Sequence, residues 1–412
     1  MRCCKMARLG RPAGGLALTL ALLAAAGTPA RAADGLTVRG NVGVETLRLP
    51  RFEGEAFGTR FTNPLQRRDN TALRAQLEVA GKLSANWSGA VRAFVREDVR
   101  NDDRDARRLD EAWVQYATPK WDLRLGNQLV TWGSVESVSP LDVVNPRDYE
   151  EDIVEPAKVG LPMARARWRM QDSDLSLYWL PGFDASRYAG PRSYYAIGGG
   201  LPNDYPGYRW NAKQFALRYF KSAGNLDVGL SFLRGLERNA RFELAPSGDR
   251  LTGSTFFSNR LGTDLTYVLD NLVLKAEAVY RTSHEPGNRR ALLWALGGEY
   301  TWSGVWRKSD LTLFVEHLGA SRNVRDIELM QNDLFAAVRW SFNDAYKQRL
   351  QLGTFLDLDR RPSYVWRIEH QLSPSENVDV GARYTVTRNY YPGPRHVERD
   401  TGVLHLFLRY NF

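Results

Sequence analysis

Three arginines, Arg165, Arg167 and Arg169, occupy alternate positions of one short segment. Side chains two residues apart on a β-strand point to the same side, so an extended segment would place three guanidinium groups on one face. Hydrocarbon would expel such a face, whereas in water the face attracts anions. We therefore predict that these arginines line a water-filled space.

The segment that precedes these arginines is rich in carboxylates. Between Gly133 and Leu161 it carries the acidic residues Asp142, Asp148, Glu150, Glu151, Asp152 and Glu155. If this segment is a loop that folds inward, it sets acidic side chains against a basic wall, and charged groups at a narrowing set ion selectivity. If the loop points outward, the same carboxylates can bind divalent cations at a membrane surface. The sequence leaves both placements open.

Histidine and cysteine do not define a catalytic or metal centre. The 5 histidines are scattered, at His284, His317, His370, His396 and His405. No Ser, His and Asp group is recognisable by spacing, although such triads assemble across a fold, and no Cys-x-x-Cys-His motif is present. We expect no cofactor, no metal and no catalytic residue, and we keep an enzyme only as an alternative.

The elements that carry these groups are strands. In residues 73–83 the odd positions are apolar or small and the even positions are mostly charged or polar. This alternation predicts a strand with one apolar and one polar face. The same alternation predicts strands at 36–47, 73–83, 87–97, 110–117, 121–132, 162–170, 175–180, 214–220, 226–234, 260–269, 272–282, 292–302, 310–318, 334–342, 349–357, 365–372, 378–386 and 402–412.

The connections alternate between short and long. The short ones are 84–86, 118–120, 171–174, 222–225, 270–271, 343–347 and 373–376, and the long ones are 50–69, 98–108, 133–161, 183–213, 235–259, 282–290, 319–331 and 388–401. Outer-membrane barrels alternate short periplasmic turns with longer extracellular loops, which a soluble sandwich does not require. We therefore predict an all-β fold, a transmembrane antiparallel β-barrel of about 18 strands, with 16 or 20 as alternatives.

Aromatic residues support lipid contact on the apolar face. They fall at or near strand ends, as the interfacial girdles of a barrel require, at Trp87, Trp121, Trp168, Trp179, Trp294, Trp302, Tyr267, Tyr280 and Tyr300. The opposite face then lines the lumen, which is a water-filled channel at this strand number. The predicted pore-lining residues are Arg92, Arg96, Arg124, Arg165, Arg167, Arg169, Arg218, Arg339, Arg367, Arg383 and Arg409. Fewer acidic residues oppose them, so the wall is expected to have a basic surplus.

The N-terminal segment has the order of a secretory signal peptide. Basic residues precede an apolar run at 16–26, and Ala30-Arg31-Ala32 supplies small residues for cleavage. The run is too short to span a bilayer as a helix. We predict a signal peptide at 1–32 and a barrel at 33–412.

Both cysteines, Cys3 and Cys4, lie in the signal peptide, so a disulfide or zinc-thiolate site in the mature chain is excluded. Removal of the signal peptide lowers the formal charge of +9 by about five, so the basic composition of the full sequence does not indicate nucleic-acid binding.

The last strand carries apolar or aromatic residues at every second position, ending at Tyr410 and Phe412. This pattern resembles the C-terminal signal of Gram-negative outer-membrane barrels. The resemblance implies recognition of Tyr410 and Phe412 by the barrel-assembly machinery, and outer-membrane lipid and lipopolysaccharide as surroundings. Physically, this strand should pair with the first strand and leave no open edge in lipid.

The third long connection resembles the constriction loop of general porins, which follows the fifth strand. A stretch of this region is also similar to uncharacterised proteobacterial outer-membrane barrels and, more loosely, to alginate-export-type channels. The similar residues are Gly126-Asn127-Gln128, Trp132-Gly133, Asp142 and Asn145-Pro146-Arg147-Asp148. We predict an outer-membrane channel for small polar or anionic solutes through a loop-narrowed, Arg-rich lumen. The alternatives are an exit channel for an anionic polysaccharide or other exported substrate and a barrel enzyme. A homo-oligomer is left open.

Overall fold

The computed structural model describes residues 35–56, 59–61, 68–152, 154–190, 192–193, 213–244, 251–284, 289–324, 331–359, 363–388 and 397–412. The predicted signal peptide lies outside the described residues, as does most of the fourth long connection. Within the described residues, no helix is long and apolar enough to cross a membrane.

Among the described residues, 18 long strands form one closed antiparallel barrel, which confirms the predicted fold class and strand number. They are β1 (Leu36–Ala56), β2 (Asp69–Lys82), β3 (Trp87–Asp98), β4 (Ala106–Ala117), β5 (Trp121–Gln128), β6 (Leu161–Arg169), β7 (Ser173–Leu180), β8 (Gln214–Ala223), β9 (Leu226–Leu236), β10 (Phe257–Leu269), β11 (Leu272–Ser283), β12 (Arg290–Trp302), β13 (Asp310–Ala320), β14 (Asn332–Ser341), β15 (Arg349–Asp357), β16 (Tyr364–Ser375), β17 (Val378–Arg388) and β18 (Val397–Asn411).

Shorter elements lie in the long connections. Thr59–Phe61 pairs with the end of β1, Arg147–Asp148 pairs with Ala157–Lys158 inside the third loop, and Arg241–Leu244 pairs with Leu251–Ser254 inside the fifth. Single 3-10 turns cover Asp102–Arg104 and Arg322–Val324.

The barrel is closed by β1, which pairs with β2 on one side and with β18 on the other. Phe412 completes the seam, because its amide donates to the Gly40 carbonyl and its carbonyl accepts from the Gly40 amide, both at 3.0 Å. Tyr410 lies in the lipid-facing register and is 42% exposed. The pairing of the last strand with the first agrees with the closure predicted from the sequence.

The two faces of the wall contact different surroundings. Large apolar side chains such as Trp87, Trp168 and Trp179 are exposed on the outer face, as lipid contact requires. Charged side chains alternate with them on the inner face. Part of the inner wall is apolar, however: Leu161, Met163, Leu180, Ala216, Leu233, Val279 and Leu293 form a buried cluster there.

Several predicted strand ends were wrong, and two of them have a clear local cause. β1 continues past Pro50 to Ala56, because a bulge between Arg48 and Arg51 accommodates the proline, which has no amide hydrogen to donate to the ladder. β5 stops at Gln128 instead of Trp132, because the chain turns inward there. The Asn145 side chain replaces a neighbouring strand, accepting from the Val130 amide at 2.8 Å and donating to the Gln128 carbonyl at 2.9 Å.

Candidate functional site

The third loop, residues 129–160 between β5 and β6, lies inside the barrel. Its apolar side chains Val130, Trp132, Leu141 and Val144 are buried against the apolar part of the inner wall. The Trp132 ring packs edge-on to Tyr178 of β7, with the centroids 5.8 Å apart. Because apolar burial is the dominant favourable term in folding, this contact accounts for the inward direction of the loop.

The tip of the loop is held by two wall carboxylates. Glu277 of β11 accepts from the amides of Ser134 at 2.6 Å and Val135 at 3.0 Å. Glu316 of β13 accepts from the next two amides, those of Glu136 at 2.8 Å and Ser137 at 2.9 Å. Both carboxylates are almost completely buried, so these donors replace the water that they lose.

Gly133 makes this close approach possible. It has a φ of +92°, and a Cβ there would lie 2.6 Å from an oxygen of Glu277 and 2.2 Å from the Ser139 hydroxyl. Any other residue at this position would push the tip away from the wall.

The first acidic group of the loop contacts the wall at β3 and β4. Arg108 of β4 donates to Asp148 and to Glu151, each at 2.9 Å, and Arg96 of β3 lies 3.9 Å from Glu151. Burial raises the pKa of Glu151, but the charges of Arg96 and Arg108 outweigh it and leave the pKa below its ordinary value. Glu151 is therefore ionised at neutral pH.

The second acidic group contacts the wall on the other side of the β1–β18 seam, at β16 and β17. Arg367 bonds both oxygens of Asp152 at 2.7 and 2.9 Å, and Arg383 bonds one of them at 2.8 Å. Glu155 lies 3.3 Å from Arg367 and 3.7 Å from Arg383. Burial alone would raise the pKa of Asp152, but the charges of Arg367 and Arg383 lower this pKa by more than burial raises it. The pKa of Asp152 is therefore well below its ordinary value. The loop is thus fixed by ion pairs to strands on both sides of the β1–β18 seam.

Asp142 and Glu150 have other surroundings. Asp142 forms ion pairs of 2.7 Å with Arg147 and Lys158, which belong to the loop itself. Glu150 is buried against the fourth loop and accepts from the Gly190 amide at 3.0 Å. Burial raises its pKa to about 7, although neighbouring donors and arginines oppose that shift.

The arginines at alternate positions of β6 have partners in the wall and not in the loop. Asp122 of β5 bonds Arg165 at 2.7 Å and also bonds Arg169, and Asp174 of β7 bonds Arg167 at 2.9 Å. These carboxylates lie on the two strands next to β6, at the same height in the barrel as the arginines. They are therefore closer to the guanidinium groups than the acidic residues of the loop are. The ladder is on the inner face, but these two carboxylates compensate most of its charge locally.

Most other predicted pore-lining arginines are paired in the same way. Arg92 bonds Glu78 at 2.8 Å and Glu111 at 3.1 Å, Arg218 bonds Asp264 at 2.8 Å, and Arg339 bonds Gln351 at 3.0 Å and contacts Glu136 of the loop.

Arg124 and Arg409 have no carboxylate partner among the described residues. Arg124 lies over the Trp113 ring at 3.8 Å, and Arg409 lies over Phe407 at 4.4 Å. The basic surplus predicted from the sequence is therefore concentrated at few positions.

Sequence reasoning did not single out Glu45, Asp98 and Arg104, which form a buried cluster beside the third loop. Arg104 bonds Glu45 at 2.9 Å and Asp98 at 3.0 Å, and its carbonyl accepts from Arg96 at 2.8 Å. Arg104 belongs to the second long connection, where no strand periodicity indicates direction. Only the fold brings it to the inner face of β1.

The described parts of the fourth and fifth loops contact the third. Tyr149 stacks on Tyr188, with the centroids 5.2 Å apart, and the Arg147 amide donates to Ser186 at 3.0 Å. Arg238 donates to the Val144 carbonyl at 3.0 Å. The third loop is therefore held by neighbouring loops as well as by the wall.

A cavity of about 580 Å³ lies beside the third loop along the β5 to β11 wall. Its lining combines paired charges with aromatic rings and includes Arg165, Arg167, Arg218, Lys275, Trp132 and Tyr178. Such a lining suits polar solutes, because the charges and the rings offer both hydrogen bonds and apolar contact.

A closed 18-stranded antiparallel barrel with an apolar outer face, a charged inner face and an inward loop has the architecture of outer-membrane porins. No family model matches the sequence, and no curated protein matches it. Solved structures with a similar fold include OpdQ of Pseudomonas aeruginosa, with a TM-score of 0.51 and 12% identity, covering 92% of this chain and 97% of OpdQ. OccD3 (OpdP) of the same organism has a TM-score of 0.51 and 10% identity, covering 92% of this chain and 91% of its own. At these identities the likeness shows the fold alone.

Proposed function

We propose that this protein is an outer-membrane channel through which small polar or anionic solutes diffuse past the third loop. The observation that carries the proposal is the attachment of this loop inside an 18-stranded barrel, next to a polar cavity of about 580 Å³. A barrel of this size is wide enough for water, and a fixed inward loop narrows it without filling it. Passive diffusion requires no further machinery.

The preference for anions follows from the cations that the wall leaves unpaired. Arg124 and Arg409 lack a carboxylate partner among the described residues, whereas the acidic loop residues contact arginines. A passing anion can therefore replace water at these guanidinium groups. Neutral polar solutes meet paired charges that offer hydrogen bonds without net attraction.

The partners proposed with this function are those of an outer-membrane barrel. Lipid and lipopolysaccharide would surround the apolar outer face, and the assembly machinery would meet the β18 strand that closes the barrel at Tyr410 and Phe412. A homo-oligomer is compatible with the same function.

Planar-bilayer recording tests the proposal. The folded barrel should give steady open conductance, and the reversal potential under a salt gradient should show weak anion preference. Replacing Arg165, Arg167 and Arg169 together by alanine leaves the carboxylates of Asp122 and Asp174 uncompensated, so the reversal potential should move toward cations.

Arg107→Ala is the matched control, because Arg107 lies on the outer face and pairs with Glu97 at 2.9 Å. This variant should keep the original reversal potential. A properly folded barrel without any conductance would contradict passive diffusion and favour a closed exporter or an enzyme.

A further inference from the structure

Two neighbouring turns on the periplasmic rim differ from the rest. They are residues 303–309 between β12 and β13 and residues 342–348 between β14 and β15. The other turns described on this rim are shorter, at 83–86, 118–120, 170–172, 224–225, 270–271 and 376–377. The two long turns are joined, because the Asn343 side chain donates to the Lys308 carbonyl at 3.0 Å and to Asp310 at 2.8 Å.

Aromatic rings form a platform on these turns. Trp340 stacks on Phe342 with the centroids 5.1 Å apart, and Trp306 packs edge-on to Trp340 at 5.9 Å. The Trp340 indole donates to Ser309 at 2.8 Å, which fixes the platform to the first turn. Trp340 lies in the lipid-facing register opposite Leu311, and Trp306 remains 51% exposed. The platform is thus held in place but left uncovered at the membrane boundary.

Three cations belong to the same two turns as the platform. Arg307, Lys308 and Lys347 are exposed and have left-handed backbone conformations, with φ of 49°, 66° and 50°. Such conformations are uncommon outside glycine and asparagine. Arg307 lies over the Trp306 ring at 4.7 Å. None of the three forms an ion pair with another described residue.

The carboxylates nearby are already bonded. Asp310 accepts from the Gly304 amide at 3.1 Å as well as from Asn343, and Asp344 accepts from the Gln348 amide at 3.0 Å. The three cations are therefore the groups of these turns that remain available to an external anion.

We propose that this periplasmic patch, formed by Trp306, Arg307, Lys308, Trp340 and Lys347, binds the headgroup of an anionic glycerophospholipid in the periplasmic leaflet. The indoles would lie at the level of the headgroup and glycerol backbone, where tryptophan is preferred. The cations would contact the phosphate oxygens, since basic residues next to an apolar surface attract anionic lipid. The lipid-facing position of the rings selects a membrane lipid over a soluble anion.

Native mass spectrometry of the folded barrel, with phosphatidylglycerol or phosphatidylethanolamine added to the micelles, tests this site. The unaltered protein should retain phosphatidylglycerol in preference. Because each basic residue near a membrane surface strengthens anionic lipid binding by about fivefold, R307S/K308S should weaken retention by about tenfold or more. The matched control K120S/K221S removes two exposed basic residues elsewhere near the same rim and should leave retention unchanged.

A charge-preserving variant, R307K/K308R, separates charge from turn structure and should retain the lipid. Equal retention by R307S/K308S and by the control would overturn the proposal, and so would equal retention of the two lipids by the unaltered protein. Loss of retention in R307K/K308R would overturn the role of charge. If the unaltered protein retained a second copy of itself and no lipid, and R307S/K308S lost that copy, the patch would be a subunit interface instead. Channel conductance should be unchanged in all these variants, so the lipid site and the channel are tested separately.

Discussion

At the scale of single residues, Glu150 joins the third loop to the fourth through a titratable group. Burial raises its pKa to about 7 from an ordinary value of 4.5. A carboxyl whose folded pKa is raised contributes stability that is complete below the unfolded pKa and is lost as pH rises through the folded pKa. The contact between the two loops should therefore weaken between about pH 4.5 and 7.

This prediction is measured by amide hydrogen exchange of residues 146–152 and 186–190. The free energy of local opening should be smaller at pH 8 than at pH 4.5, by an amount on the order of 3 kcal/mol at most. Glu150→Gln mimics the protonated form and should remove most of this dependence. Glu155→Gln, at an exposed position, should keep it. An unchanged pH dependence in Glu150→Gln would show that another group controls the contact.

At the scale of elements, the third loop is positioned by side chains of distant strands. Glu277 and Glu316 together accept four consecutive loop amides, from Ser134 to Ser137. Replacing either by glutamine removes a charge and sets an amide NH2 group against backbone donors, which should cost about 1–3 kcal/mol. The tip should then leave the wall more often.

Glu277→Gln and Glu316→Gln should each increase current noise and accelerate hydrogen exchange at residues 133–139. Glu299→Gln is the control, because Glu299 pairs with Lys275 at 2.9 Å in the wall. A quiet channel with unchanged exchange in both tip variants would mean that apolar packing alone holds the loop.

The elements also show what could be predicted from the sequence. The number of strands and the side chains on each face were predictable from the sequence. Every strand contacts lipid on one face and water or a loop on the other, so apolar and polar residues alternate along it. The course of the chain at Pro50 and Gln128 was not, because a bulge and the Asn145 side chain decide it. The partners of Asp148 and Asp152 were also hidden, since Arg108 and Arg367 lie on strands far apart in sequence.

At the scale of the whole molecule, the inner charges couple the loops to barrel closure. The third loop forms ion pairs with β3, β4, β16 and β17 and hydrogen bonds with β11 and β13, so it connects strands on both sides of the β1–β18 seam with strands further around the barrel. The complete set of contacts requires the closed barrel, because β3 and β4 are brought near β16 and β17 across the seam. We infer that the seam between β1 and β18 must form before the loop attains its final position.

The seam leaves little space at Gly40, which makes the closure testable. A Cβ on Gly40 would lie 2.4 Å from the Phe412 ring and 2.7 Å from the Gln76 carbonyl of β2. The ring can rotate away, but the carbonyl belongs to the strand ladder and cannot move without breaking the pairing. Gly40→Ala should therefore destabilise the barrel by about 1–3 kcal/mol and lower the yield of folded protein.

Folded yield is read from the fast-migrating form on unheated gels, and stability from the urea midpoint. Gly353→Ala is the matched control, because the nearest neighbour of an added Cβ there is the Ala337 methyl group at 3.3 Å, and a small shift accommodates it. That variant should fold in nearly the original yield. If Gly40→Ala folded equally well, the strands at the seam would be able to accommodate the added methyl group without a loss of stability. Barrel closure would then not depend on the close contact between Gly40 and Phe412.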